Sequence, residues 1–342
     1  MPRSGTSLLG RNIARLENCT GLQNTGVYED EGRYLQDVYL TESDCGGAGR
    51  FGFDPRIHLT EESPLLTPQN IAKLRSSWHT YWDNSKNIFV EKTPANLLMT
   101  RFLQAAFPNS LFVVIKRHPI PVSLAIQKWK VNVTSLYRLF EHWLHCHHLY
   151  EQDRKHLKQV YELSYEDYVR NQDKFHQEIA EFIGTRVSST STGDNFRTVA
   201  QWRNPTGLRV PEQSMEITSD KYDQKYFDRW RRLLTASPFA PYYRHIAKIY
   251  EPRFARHGYS LAQGLEGQAE LLSGSGKAMR LLGPCYCYGA DASAFVRRAA
   301  ARSLWWARRS LRAALPKGIR ARLKGTRNKC YPGKPAVEVV TR

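Results

Sequence analysis

The segment LFVVIKRHPIPVS, from Leu111 to Ser123, carries the strongest strand pattern in the chain and leads it into a helix. Its first five residues form a continuous run of aliphatic and aromatic side chains. Such a run is typical of a strand in a parallel sheet that is covered on both faces. Pro119 and Pro121 then impose a tight path into a helix that we expect from about Pro121 to Lys130. The segment therefore predicts one strand–turn–helix unit of an α/β fold.

Apolar runs alternate with helical patterns on both sides of this unit. A short strand is predicted from Asn87 to Glu91 and is followed by a helix from Ala95 to Phe107. Downstream, a strand from Val160 to Leu163 precedes a helix from Asn171 to Ile183. Further helices are predicted at Ser7–Leu16, Thr134–Lys158, Asp220–Leu234 and Phe239–His257. The alternation predicts a three-layer α/β domain over residues 1–260, with a parallel sheet flanked by helices.

Residues 261–342 have a different composition, rich in Gly, Ala and Arg, and are predicted to form a basic C-terminal extension. The formal net charge is +18, and twelve of the fifty Lys and Arg residues lie between Arg297 and Lys329, where there is no Asp or Glu. A basic segment of this kind is usually solvated or disordered. The alternative is an amphipathic helix on a membrane surface, because FVRRAAARSLWWARRSLRAAL (Phe295–Leu315) places Trp and Leu among arginines. No motif of a nucleic-acid reader accompanies the charge, so no nucleic-acid partner is expected.

Several classes of protein are not indicated by the sequence. No stretch approaches the roughly 20 apolar residues of a membrane span, and no signal-peptide pattern is present. The cysteines are too scattered for a disulfide scaffold or a paired zinc site. The histidine-rich stretch EHWLHCHHLY, from Glu141 to Tyr150, lacks the pattern of a known metal site, so no metal is expected. The aromatic residues of the helix that contains this stretch are predicted to belong to the core, and they are Phe140, Trp143 and Tyr150.

Three segments fall where open α/β sheets bind ligands, next to the ends of strands and the starts of helices. In Pro2–Ser7, Gly5 allows close approach of an anion, and the amides that open the next helix favour negative charge. The second segment, EKTP, places Lys92 at the rim of the sheet. In the third, Arg117 closes the strand and Ser123 lies near the start of the helix. Each segment taken alone also fits an ordinary capped turn.

The chain resembles the sulfotransferases that use 3′-phosphoadenosine 5′-phosphosulfate (PAPS) in three motifs, which follow in the order PRSGTSLL, FVEKTPANL and VIKRHPIPVS. The motifs are most similar to those of the members that act on carbohydrates and protein tyrosines. The resemblance covers residues 1–258 and implies a P-loop-like fold that needs no metal. It also implies ligands for the 5′-phosphosulfate, namely Arg3, Ser4, Gly5, Thr6 and Ser7. Arg117 and Ser123 would bind the 3′-phosphate, although the family often has its serine where this chain has Ala125. A P-loop kinase is disfavoured because Thr6 replaces the Walker lysine.

Sulfuryl transfer requires a base, because the acceptor hydroxyl loses a proton as it attacks sulfur. Related enzymes carry a catalytic glutamate after the first helix, which here corresponds to the acidic run VYEDEGRYLQ. We expect Glu31 to be the base, with Glu29 second and Glu91 third, whereas a solvated acidic turn is the alternative. Arg3 and Lys92 can supply the cationic donors that stabilise developing charge.

The family's loop follows a strand and a glycine, and Met1 stands one residue after the place of that glycine. We therefore expect a fold without its first strand, frayed at residue 1 and with Arg3 poorly held. The function expected is transfer of a sulfuryl group from PAPS to a hydroxyl of a glycan or an acidic protein segment. The alternative is a non-catalytic nucleotide-binding or truncated member. The resemblance implies the Golgi lumen if an upstream membrane anchor belongs to the protein.

Overall fold

A computed structural model describes residues 1–127, 135–188, 221–237 and 239–262, together with isolated positions between 285 and 307. Contacts divide the chain into two units, Met1–Ala294 and Phe295–Arg342, and every element below lies in the first. The Ser/Thr-rich stretch STSTGD, which the sequence predicts as a loop (Ser189–Asp194), and most of the basic extension lie outside the described residues. The predicted domain boundary at residue 260 stays a prediction.

The described strands form two parallel pairs. Strand β1 (Cys19–Gly21) pairs with β2 (Ile88–Val90), and β3 (Phe112–Lys116) pairs with β4 (Val160–Ser164). In the second pair Phe112 lies opposite Val160. Three of these strands are those predicted from the apolar runs, whereas β1 has no such run and was not predicted. The α/β class with parallel strands is confirmed.

Helices surround the strand pairs. They are α1 (Thr6–Ile13), α2 (Pro68–His79), α3 (Thr100–Ala106), α4 (Pro119–Gln127), α5 (Leu136–Arg154), α6 (Tyr165–Arg170), α7 (Gln172–Ile183), α8 (Lys221–Thr235) and α9 (Ala240–Ala255). The helix predicted from Ala95 is in fact a 3₁₀ turn, Pro94–Leu98, followed by α3, because Met99 has φ −140° and interrupts it. Helix α2 was not predicted, although Thr67 caps it and Pro68 opens it. None of the described helices is both long and apolar enough to cross a membrane.

Within the described residues, the core consists of three apolar clusters. One joins α4, α5, α8 and α9, a second lies between α2, α3 and α5, and the third packs α1 against β3, β4, α6 and α7. Phe140, Trp143 and Tyr150 are at most 1% exposed, which confirms them as core residues. In the same helix the buried His142 accepts a hydrogen bond from the amide of Gly52 at 3.1 Å. Burial lowers the pKa of His142 to about 3, so it is a neutral core residue.

The beginning of the chain is packed rather than frayed. Met1 is 3% exposed and lies in the second apolar cluster. The carbonyl of Arg3 accepts a hydrogen bond of 2.7 Å from Nη1 of Arg117. The expectation that residue 1 is frayed and Arg3 poorly held is therefore wrong, because apolar burial on one side and a charged donor on the other hold this segment.

Candidate active site

The loop Pro2–Ser7 runs directly into α1, and its conformation depends on glycine. Gly5 has φ +88°, in the left-handed region, and a Cβ there would lie 2.3 Å from Cδ2 of Tyr165. Only glycine tolerates both the backbone angle and this close approach. The first amides of a helix have no intrahelical partner, so the turn at Thr6 and Ser7 presents them to an anion.

Two of the predicted phosphate ligands carry buried hydroxyls that have no hydrogen-bond partner in the part of the chain that the structure describes. Ser4 is 0% exposed and Ser123 is 1% exposed. Within the described residues, neither Oγ atom makes a hydrogen bond. A buried hydroxyl left in this state costs about 1–3 kcal/mol, which an anion accepting a hydrogen bond from it would recover. The two residues therefore fit the oxyanion ligand that the sequence predicts for this region.

Lys92 connects the loop to the acidic run. Its Nζ donates to Oγ of Ser7 at 3.3 Å and to Oε1 of Glu31 at 3.0 Å. The lysine stem crosses α1 at Gly10, where a Cβ would lie only 2.8 Å from the lysine Cβ. The end of β2 is thereby brought against the start of α1. Lys92, Ser7 and Glu31, which are far apart in the sequence, meet at one point.

Glu31 is buried within a network of charges. It is 2% exposed, and its Oε2 lies 2.6 Å from Nη2 of Arg33. The other terminal nitrogen of Arg33 lies 2.6 Å from Oε2 of Glu42. Burial raises the pKa of Glu31 to about 7, against the opposing influence of Lys92 and Arg33. The alternative of a solvated acidic turn is wrong for Glu31, which has the pKa expected of a general base at neutral pH.

The other two candidate bases have different surroundings. Glu29 lies at the edge of the network, with Oε2 3.5 Å from Nη2 of Arg11 and 4.0 Å from Nζ of Lys92. Glu91 accepts hydrogen bonds from the amide of Gly32 at 3.0 Å and from Oγ1 of Thr93 at 2.5 Å. Its carboxylate thus stabilises the turn that carries Glu31.

The indole of Trp78 also holds this turn. Its Nε1 donates to the carbonyl of Gly32 at 2.9 Å, and a Cβ at Gly32 would lie 2.8 Å from that nitrogen. Trp78 is 3% exposed and belongs to the second apolar cluster. The position of Glu31 is therefore fixed by Trp78 on α2 and by Glu91 directly after β2, well outside the acidic run itself.

All three nitrogens and one flat face of the Arg117 guanidinium are in contact with other groups. Nη1 donates to the carbonyl of Arg3, and the guanidinium carbon lies 4.1 Å from the ring centre of Tyr165. Nε donates to Oδ2 of Asp223 at 3.3 Å, and Nη2 donates to Oδ1 of the same residue. The sequence predicted Arg117 as an anion ligand but did not indicate Asp223, since the two residues are joined only by tertiary packing.

Together the parallel strands, the helices that flank them and the glycine loop at the start of α1 define an α/β protein of the P-loop-like type. A profile of the sulfotransferase family matches residues 1–189, more than half of the chain. The chain therefore belongs to the sulfotransferase family, and the resemblance seen in its three motifs is confirmed at that level.

Comparison with solved structures finds a similarity to the "Sulfotransferase Domain from the Curacin Biosynthetic Pathway". The identity is 15% and the TM-score 0.39, over 76% of this chain and 95% of that one. No curated protein matches the chain. The roles assigned above to individual residues stay predictions.

Proposed function

We propose that this protein transfers a sulfuryl group from PAPS to a hydroxyl of a carbohydrate or of a protein tyrosine. The observation that carries the proposal is the meeting of Lys92 with both Ser7 of the loop and Glu31. An anion-binding loop, a cation and a carboxyl group with a pKa of about 7 are what sulfuryl transfer needs. Family membership supports the reaction type.

The residues of the loop suit the donor. Arg3 to Ser7 would hold the 5′-phosphosulfate, and Arg117 with Ser123 would bind the 3′-phosphate. The buried hydroxyls of Ser4 and Ser123, which lack partners within the described residues, support this assignment. When bound, the donor supplies an activated sulfuryl group. The proposed reaction assigns no residue as a metal ligand.

The chain's own groups would act on the acceptor and on developing charge. Glu31 accepts the proton that the acceptor hydroxyl loses, and Arg33 and Lys92 stabilise the carboxylate of Glu31 before it takes up that proton. Lys92, 3.0 Å from Glu31 and 3.3 Å from Ser7, also lies where negative charge builds up next to the loop. The net charge of +18 favours an acidic acceptor, either a glycan or a tyrosine-containing acidic peptide.

The test is transfer of ³⁵S from labelled PAPS to two acceptor pools, an acidic polysaccharide and an acidic peptide containing tyrosine. Wild type should label one of them, and Glu31→Gln should lower the rate by about 100-fold or more with nucleotide binding retained. Glu29→Gln is the matched control and should lose far less, because it leaves the buried carboxyl group in place.

Three outcomes are informative. Equal rates for wild type and Glu31→Gln would remove Glu31 from the mechanism. Binding of adenosine 3′,5′-bisphosphate without transfer to either pool would favour a non-catalytic nucleotide-binding member of the family. Absence of nucleotide binding would refute the proposal.

A further inference from the structure

The anion-binding edge of Arg117 is already occupied by a carboxylate from α8. The Nε and Nη2 atoms of a guanidinium form a fork that matches two oxygens of a carboxylate or a phosphate. In Arg117 this fork holds both oxygens of Asp223. The remaining edge donates to the carbonyl of Arg3, and one flat face lies on the ring of Tyr165. A phosphate that reaches this fork must therefore displace Asp223.

Asp223 is held in place by the packing of its helix. Tyr226 and Trp230, one and two turns further along α8, are at most 1% exposed in the first apolar cluster. The indole of Trp230 donates to the carbonyl of Leu261 at 2.8 Å. The ion pair is itself buried, with side chains 4% exposed for Arg117 and 10% for Asp223. The carboxylate can leave the fork only if the first turn of α8 shifts or its own side chain rotates away.

A second carboxyl group lies close to the same guanidinium. Oε1 of Glu166 accepts a hydrogen bond of 2.8 Å from the amide of His118, the residue after Arg117. The charge of Asp223 adds to burial in raising the pKa of Glu166. The surroundings of Arg117 are therefore acidic. This acidity opposes the binding of a 3′-phosphate in addition to the competition from Asp223 for the fork.

We propose that Asp223 is a specificity-determining residue that competes with the nucleotide 3′-phosphate for Arg117 and weakens the binding of 3′-phosphorylated nucleotides. The inference rests on the proposed function, because it concerns the same donor site. Its consequence is that the 3′-phosphate contributes little to affinity in the wild-type protein. Donor and product would both be held weakly, which favours release of the product nucleotide.

The experiment is isothermal titration of the full chain with adenosine 3′,5′-bisphosphate and with adenosine 5′-monophosphate, which lacks the 3′-phosphate. The quantity of interest is the ratio of the two dissociation constants. In wild type we expect the ratio to favour the bisphosphate by less than about tenfold, whereas Asp223→Asn should increase it by about tenfold or more. The double variant Arg117→Ala/Asp223→Asn should lose this gain, because the fork is then missing.

Asp228→Asn is the matched control on the same helix. The side chain of Asp228 is 46% exposed, and its polar contacts within the described residues are to Gln224 at 3.0 Å and Arg231 at 3.9 Å, both on α8. The substitution Asp228→Asn should leave both dissociation constants unchanged. If Asp223→Asn does not fold, Asp223→Ser removes the same charge with a smaller side chain.

The outcomes separate the two proposals. If both nucleotides bind and the ratio in Asp223→Asn stays within about threefold of wild type, the role of Asp223 is overturned and the proposed function stands. If wild type prefers the bisphosphate by about 100-fold or more, the role of Asp223 is overturned without any variant. If neither nucleotide binds to wild type or to any variant, both proposals fail.

Discussion

Replacing Glu31 by glutamine should change how the free energy of unfolding depends on pH. Burial raises the pKa of this carboxyl from 4.5 to about 7 in the folded protein. The folded state therefore binds the proton more tightly than the unfolded chain. The stabilisation from this proton is fully present below pH 4.5 and is lost as the pH rises through about 7.

The magnitude follows from the size of the shift. A pKa change from 4.5 to about 7, at 1.36 kcal/mol per unit, corresponds to about 3 kcal/mol. Solvent screening is small, because the residue is 2% exposed. Part of this stabilisation is already lost at pH 5, which lies above the unfolded pKa of 4.5, so wild type should lose about 2.5 kcal/mol between pH 5 and pH 8 on account of this group, and Glu31→Gln should not.

The assay is urea unfolding at pH 5 and pH 8 for wild type, Glu31→Gln and the control Glu29→Gln. Buried histidines such as His118, whose pKa is lowered to about 4 by burial, contribute with the opposite sign. They are present in all three proteins and cancel in the comparison. If wild type and Glu31→Gln change equally between the two pH values, the burial argument for a general base is refuted. The control should follow wild type.

Two further predictions concern the same region. Glu42→Gln leaves Arg33 to pair with Glu31 alone and removes a like charge, so the pKa of Glu31 should fall by about one unit. The midpoint of the pH–rate profile for sulfuryl transfer should move down with it, and an unmoved midpoint would contradict the shared pairing. Gly5→Ala should cost about 3 kcal/mol or more in urea unfolding, because it combines positive φ with a clash at 2.3 Å. Gly26→Ala is the control at φ +72° with nothing within 4 Å, and should cost only about 1–2 kcal/mol; equal losses would exclude the clash.

Features that depend only on residues adjacent in the sequence could be predicted from the sequence. The apolar run that forms β3 predicts a buried strand from its own composition, since such a stretch is stable only between two covering layers. The loop before α1 is likewise local, because a glycine in the left-handed region and the amides of the next turn suffice to make it. The position of Lys92 after β2 follows from the end of that strand. These local signals were enough to indicate the family.

Strand β1 and helix α2 show two different reasons for a missed element. The three residues of β1, Cys-Thr-Gly, have no strand pattern of their own and are extended because they pair with Ile88–Val90. Helix α2 had a local signal in Thr67 and Pro68, which cap and open it. The first could not be predicted from its own residues, whereas the second could have been.

The acidic run shows most clearly where sequence reasoning ends. Its position after the first helix, together with the family resemblance, was sufficient to nominate Glu31 and Glu29, and Glu91 was nominated because it stands beside Lys92, but the different surroundings of the three come from contacts across the fold. Glu31 is buried between Lys92 and Arg33, whereas Glu91 is bonded to the turn at Gly32. The sequence by itself determined the α/β class, the anion loop and the set of candidate residues. Tertiary structure alone decided which carboxyl group is buried and which acid occupies Arg117, because desolvation and ion pairing depend on residues that only folding brings together.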